Sequence, residues 1–226
     1  MPNLIRAAFY DFDGTLASSN VVTRYAYFAR NHPSRFQSCL RYVKLLLTVP
    51  LWLLLDSFSR RLFNKVFYRE YRGMHQNILK EQSMEMFSTE ILPKIYPGAP
   101  SLIASDRADG FRLVLISGGL DFAITAAANH LGFDDIIANR LALKNGIATG
   151  EIVAPLLAGQ EKVAAIKNYC REYNVDTERS KAYSDSLSDV PMLEALGLAV
   201  AVNPDRHLRK IAVKKKWAIL DLRVSK

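Results

Sequence analysis

The chain has 226 residues, half of them hydrophobic, enough for one sizeable core with a small accessory unit. Cys39 and Cys170 are the only cysteines and have no Cys or His partner at zinc-ligand spacing; this excludes a disulfide framework and a zinc finger and points to an intracellular, cytoplasmic protein. The formal charge of +8 is concentrated in residues 18–95, where 12 Lys and Arg stand against 5 Asp and Glu, so any anionic partner is expected there.

The first element is expected over residues 4–10, a short apolar strand that runs directly into an acidic motif, with no signal peptide before it. Residues 18–95 then show long helical stretches rich in aromatic, Leu and Arg residues and no clear strand. Pro93, Pro97, Gly98 and Pro100 mark the exit from this helical insertion. Within it, residues 36–55 place Arg41, Lys44 and Thr48 on one helical face and Cys39, Val43 and Leu46 opposite, and become apolar all round at 51–55. The uncharged run 45–55 contains Pro50 and falls short of the ~20 apolar residues that span a bilayer, so a transmembrane helix is not expected. Two readings remain. The segment is core of the insertion, or it contacts a membrane peripherally, with Arg41 and Lys44 toward head groups and Leu51, Trp52 and Leu54 in the acyl boundary.

Beyond the insertion, strands are expected at 112–116, 181–183, 198–202 and 218–222, and helices at 101–109, 122–131, 161–173 and 191–196. That alternation predicts an α/β, doubly wound parallel sheet. Asn145-Gly146 suits a tight turn between strands at 141–143 and 147–152, so a small hairpin should project from the core.

Four stations carry chemistry. Asp11-Phe12-Asp13-Gly14-Thr15 follows the first strand, where open α/β sheets present their ligand sites, and two carboxylates so close need a cation or divided roles. A hard divalent ion such as Mg²⁺ is the natural companion. Ser117-Gly118-Gly119 ends the second expected strand with a hydroxyl and open backbone N–H groups that suit phosphate oxygens. Lys162 opens a helix after Gly159, and Ser184-Asp185-Ser186-Leu187-Ser188-Asp189 supplies two more carboxylates after the strand at 181–183.

This order of motifs resembles the haloacid dehalogenase (HAD) superfamily over essentially the whole chain outside the insertion. The helical insertion after the first motif, Gly159-Gln160-Glu161-Lys162, the run from Asp185 to Leu193, and Val202-Asn203-Pro204 look like subfamily IB, which contains phosphoserine phosphatase. The usual Gly before the last acidic motif is Ser184 here. The resemblance implies a Rossmann-like core of residues 1–17 and 96–226 with an all-helical cap at 18–95. It also implies a phosphomonoester phosphatase in which Asp11 is the nucleophile, forming an aspartyl-phosphate, and Asp13 the general acid and base. Asp11, the Asp13 carbonyl and Asp185 would hold Mg²⁺; Ser117, Gly118 and Lys162 would bind the phosphoryl group, and Asp189 would position Lys162 or a metal-bound water.

Phosphoserine phosphatases carry a Glu shortly after the first motif, but residues 17–28 here include no acidic side chain, which disfavours phosphoserine. Arg24 instead suggests an anionic group on the substrate. A phosphorylated lipid such as phosphatidylglycerophosphate or lysophosphatidate is expected, with a soluble phosphorylated metabolite, or transfer of the phosphoryl group to an alcohol, as alternatives. Nucleic acid is not an expected partner, because the aromatics of the basic segment are interleaved with packing leucines. If membrane contact occurs, the expected place is the inner membrane face.

Overall fold

The structure, a computed structural model, describes residues 4–224, apart from the side chains of residues 56 and 57. Its centre is a six-stranded sheet in the order β3 (Asp135–Asn139), β2 (Phe111–Leu120), β1 (Arg6–Tyr10), β6 (Lys181–Ser184), β7 (Leu198–Val202), β8 (Ala218–Leu220). Every neighbouring pair is parallel. Such strands are covered on both faces, which explains their continuous apolar runs. Side chains alternate between the two layers. Ala8, Tyr10, Leu113, Leu115 and Tyr183 pack toward α5 (Ala99–Ala108), α6 (Asp121–Leu131) and the helical insertion. Phe9, Val114, Ile116 and Ala182 pack toward α7 (Gln160–Glu172), α8 (Val190–Glu194) and α9 (Arg206–Lys215).

Two elements stand outside the expected pattern. β3 is an edge strand whose first four residues are only half-buried, so it lacks the apolar run of a central strand. In α9 half of the ten residues are Lys or Arg, and only Leu208 and Ala212 are buried. That single i, i+4 pair, with Asp205 accepting from the His207 and Leu208 N–H groups (2.8 and 2.7 Å), is enough to seat it.

The insertion contains α1 (Val21–Arg30), α2 (Arg35–Phe58), α3 (Arg60–Phe67) and α4 (Gln76–Met86). Asn20, Ser34 and Ser59 cap the first three by accepting from the Thr23, Gln37 and Leu62 N–H groups. Tyr25, Phe28, Phe63, Phe67, Tyr68 and Tyr71 form its aromatic interior, continuous with one layer of the sheet core. Strands β4 (Leu141–Lys144) and β5 (Ile147–Ile152) make the expected hairpin, with Asn145 and Gly146 both at positive φ (51° and 76°). The hairpin grips the insertion: the Gln76 N–H donates to the Gly146 carbonyl and the Ala148 N–H to the Met74 carbonyl.

α2 corrects the expectation for residues 36–55. It runs unbroken for 24 residues through Pro50, and its Arg35–Leu55 stretch, mean hydropathy 1.5, is long and apolar enough by length and composition to cross a membrane. Its inward face is not the expected one. Trp52 is buried edge-on against Phe67 (5.1 Å), Arg41 donates to the carbonyls of Glu70 and Arg72, and Lys44 pairs with Glu70 at 2.7 Å. A long side chain on a helix that is apolar all round can point either way, and the aromatic interior captures the largest one.

Candidate active site

Because β2, β1 and β6 are neighbours, their carboxyl ends bring together Ser117, Asp11 and Ser184-Asp185 from three distant parts of the chain. The Asp11 N–H donates to the Tyr183 carbonyl (2.9 Å), extending the β1–β6 ladder by one rung into the site. Asp11, Asp13, Ser117, Lys162, Asp185 and Asp189 all line one pocket of about 80 Å³, with Gly118 and Gly119 at its wall.

Lys162 stands in the first turn of α7, whose preceding Gly159 adopts φ 54°. Its buried ammonium bridges Asp11 Oδ1 and Asp189 Oδ2, both at 2.7 Å. Burial opposes that charge, but the two carboxylates outweigh it and hold the Lys162 pKa above its ordinary value. Asp11 is pushed up to about 7 by burial and by repulsion from Asp189 and Asp185, with Lys162 pulling the other way. Ser184, fully buried, donates to Asp189 Oδ2 (2.9 Å) and accepts from the Ser186 N–H (3.2 Å). The hydroxyl at this unusual position thus anchors the carboxylate that holds Lys162.

Asp13 is clamped from the insertion. Arg24, on α1 and only 2% exposed, donates Nη1 to Oδ1 and Nη2 to Oδ2, each at 2.6 Å, and the Ser19 hydroxyl adds a bond to Oδ1 at 2.7 Å. Burial raises the Asp13 pKa, yet Arg24 and Ser19 outweigh it and hold the carboxyl below its usual range. The expectation that Arg24 meets an anionic group of a substrate differs from this geometry: the guanidinium is committed to Asp13 and lies behind the pocket wall. Its Nη2 would be 3.0 Å from a Cβ placed on Gly119, so only glycine fits between Arg24 and the Ser117 turn without displacement.

Asp185 closes the opposite side. Its N–H donates to Thr15 Oγ1, whose hydroxyl donates back to Asp185 Oδ1, both at 3.0 Å. Gly14, at φ 82°, lies so close that a Cβ there would fall 2.1 Å from Asp185 Oδ2, so both the backbone shape and the approach require glycine. Asn203 donates to the carbonyls of Gly14 and Thr15 and so ties this loop to the end of β7. Burial raises Asp185 to about 6. Among the described residues no three acidic, His or Cys side chains group as a metal cage. Two carboxylates at one pocket, both raised by burial and neighbouring negative charge, still form a hard oxygen pair suited to Mg²⁺, which keeps several waters and uses one or two carboxylates.

The insertion also supplies residues that the motifs did not reveal. Arg60 and Asn64 of α3 line the pocket, and Tyr68 just beyond donates to the Gly118 carbonyl, which also accepts from Asn139 Nδ2 (2.7 Å). Two donors thus hold the Gly118 peptide in place. The signal was present in the i, i+4, i+8 spacing of Arg60, Asn64 and Tyr68, which aligns their polar ends on one side of an aromatic helix.

Comparison with known proteins agrees with this architecture. Over 151 residues the chain is 38% identical to the inhibition of morphological differentiation protein of Streptomyces azureus, covering 66% of this chain and 54% of that one. Over 142 residues it is 32% identical to phosphoserine phosphatase SerB1 of Mycobacterium tuberculosis, covering 63% and 46%. The chain thus spans about half the length of these curated relatives. A solved structure titled as a phospho-aspartyl intermediate analogue of phosphoserine phosphatase superposes with a TM-score of 0.71 over 99% of this chain and 96% of that one, at 19% identity, which shows a shared fold. The family model for haloacid dehalogenase-like hydrolase matches residues 8–194, from the strand before Asp11 to the helix after Asp189, and the chain belongs to that family.

Proposed function

We propose that this chain is a phosphomonoester phosphatase that works through Asp11. The observation that carries the reading is the convergence of Asp11, Ser117 and Lys162 at one small pocket, with Lys162 Nζ 2.7 Å from the Asp11 carboxylate. Asp11 attacks phosphorus, the P–O bond to the substrate alcohol breaks, and the departing oxygen takes a proton from Asp13. Water then attacks the aspartyl-phosphate, losing its proton to Asp13 as the P–O bond to Asp11 breaks and inorganic phosphate forms. Asp13 starts as a carboxylate held by Arg24; the proton it passes to the departing oxygen arrives on the phosphate monoanion of the substrate, whose negative charge beside Asp13 raises the affinity of that carboxylate for it. Lys162, the Ser117 hydroxyl and the Gly118 N–H stabilise the equatorial phosphoryl oxygens, while Asp189 and Ser184 keep Lys162 in place.

Asp11, Asp185 and the Asp13 carbonyl would hold Mg²⁺. The ion supplies neutralisation of phosphoryl charge that Lys162 alone cannot match.

We infer further that the substrate is a lipid phosphate, so that the alcohol released is amphiphilic. The insertion presents Val21, Arg60 and Asn64 to the pocket, the first turn of α1 carries no acidic side chain to meet an amino group, and apolar α2 leads directly into α3. A phosphate-release screen tests both statements, with phosphoserine, small sugar phosphates and lysophosphatidate offered in parallel with and without Mg²⁺. Release from lysophosphatidate in preference to phosphoserine is expected. Preference for phosphoserine overturns the lipid assignment, and no release from any ester overturns the phosphatase itself.

A further inference from the structure

We propose that α2 lies in the surface of an anionic bilayer, its outward stripe of Phe36, Leu40, Val43, Leu47, Leu54 and Phe58 turned into the acyl boundary, beside the mouth of the pocket. At 100° per residue these six positions fall within an arc of roughly 60°, along about 33 Å of helix. Leu45 and Trp52, which the insertion buries, lie on the opposite side. Phe36, Leu47 and Phe58 are 74, 76 and 79% exposed, and between positions 36 and 58 no charged residue falls in this arc. Leu51 and Leu53 widen the surface on either side. Scattered exposed apolar side chains are ordinary in folded proteins; an uninterrupted stripe of this length marks a surface that something covers.

Charge selects the occupant. Residues 30–72 hold nine Lys and Arg against two acidic residues, with Arg35, Lys65, Arg69 and Arg72 exposed. A second copy of the chain would bring the same positive surface against itself, whereas an anionic lipid surface complements it. The mode is lying rather than crossing. Arg41 is bonded to two carbonyls of the insertion, Lys44 is paired with Glu70, and Trp52 is packed under Phe67; a spanning helix would have to leave all three partners and take Arg41 and Lys44 into hydrocarbon. Pro50, exposed and lacking an N–H, costs the ladder only a bond to the carbonyl of Leu46, itself on the solvent side.

The position of the stripe gives it a use. Phe58 ends α2, Ser59 caps α3, and Arg60 already lines the pocket. A phosphorylated head group entering there would leave its acyl chains beside the end of the stripe. This use rests on the phosphatase reading above; the docking does not.

The test is co-sedimentation of the full chain with phosphatidylcholine vesicles, with and without phosphatidylglycerol, beside phosphate release from p-nitrophenyl phosphate and from lysophosphatidate in the same vesicles. The expected result is binding to phosphatidylglycerol vesicles that weakens with salt and is lost in the double variant Leu47→Ser, Leu54→Ser. That variant should keep its rate on p-nitrophenyl phosphate and lose about tenfold on vesicle-borne lysophosphatidate. Vesicle binding by a chain that releases no phosphate from either ester supports the docking and removes the phosphatase reading. Phosphate release with no vesicle affinity at low salt overturns the docking, as does binding that survives the double variant. A stable dimer that the same substitutions dissociate, without lipid affinity, assigns the stripe to a second copy instead.

Discussion

The carboxyl edge of the sheet and the outer face of α2 treat their side chains in opposite ways. At the sheet edge Asp11, Asp13, Lys162 and Asp189 each meet an oppositely charged group within 2.7 Å, and the loops carrying them are tied down by Thr15, Ser184 and Asn203. Along α2, large apolar side chains face outward while the buried side of the helix is confined to Leu45, Trp52 and their neighbours. Folding gives each of those four charges a partner. It does not account for the second region, because a chain that gained only its own core from α2 would be no less stable with polar residues on that outer face. On the proposed function the contrast divides the labour: the core edge would carry bond-breaking chemistry independent of the alcohol, and the insertion would decide which alcohols arrive.

The sharpest way to break that division is Asp11→Asn. Loss of phosphate release by at least about 10³-fold is expected on soluble and vesicle-borne esters alike, since removing a nucleophile affects the chemical step for every substrate. Vesicle binding should be unchanged. Mass-spectrometric mapping of the beryllium fluoride adduct should place it on Asp11, and an adduct on any other residue sinks the assignment.

Within α2 the two faces should separate by stability. Trp52→Ala removes a buried indole from the aromatic interior and is expected to cost about 3–5 kcal/mol in urea denaturation. Leu47→Ser, at an exposed position, should stay within about 0.5 kcal/mol of the parent in the absence of lipid. Equal costs would mean that the outward face is packed in solution.

What could be read from the amino-acid sequence follows how local each signal is. Asp11, Asp13, Ser117 and Asp185 were legible because each follows a short apolar run, and a strand end is a local feature. The pairing of Lys162 with Asp189 was inferred through a resemblance only, and the bond from Lys162 to Asp11 was not foreseen, since it spans 151 residues and no periodicity reports such a contact. Arg24 was visible as a lone cation, yet its commitment to Asp13 depends on how α1 folds back over the β1 loop. For α2 the hydrophobic pattern showed length and apolarity, but a helix with Leu on most faces does not say which face is inside. The interior chose Trp52 by size. β3 and α9 escaped for the reverse reason: an edge strand and a charged helix bury too little to leave a pattern.

Arg24, on α1, is where the insertion meets the sheet edge, and Arg24→Met should sharpen how far the insertion supports the core. Breaking a buried ion pair by removing one partner costs about 3–5 kcal/mol; because the Asp13 side chain keeps 22% of its exposure, about 2–3 kcal/mol is expected in urea denaturation. The double variant Arg24→Met, Asp13→Asn should recover part of that loss, since no carboxylate is left without its cation. If the double variant is no more stable than Arg24→Met alone, the two side chains are not coupled and Arg24 serves packing instead.

The smallest expected effect concerns Asp185, and its sign is what matters. A carboxyl with a folded pKa of about 6 and an ordinary value of 3.8 favours the folded state in its protonated form. That contribution is full below the ordinary value and is lost as the pH rises through about 6. At pH 7.5 Asp185 is therefore a charge the fold holds at a cost, which the partial exposure of the group and its bond from Thr15 reduce to about 1 kcal/mol. Asp185→Asn keeps an oxygen to accept from Thr15 and removes the charge, so with chelator present the variant should melt higher than the parent at pH 7.5, and the gap should close toward pH 4. Added Mg²⁺ should then raise the melting temperature of the parent and leave the variant unmoved, because the ion uses the carboxylate whose repulsion it offsets. A variant less stable than the parent at pH 7.5, or one that Mg²⁺ still stabilises, would show that the hard-cation site lies among other oxygens.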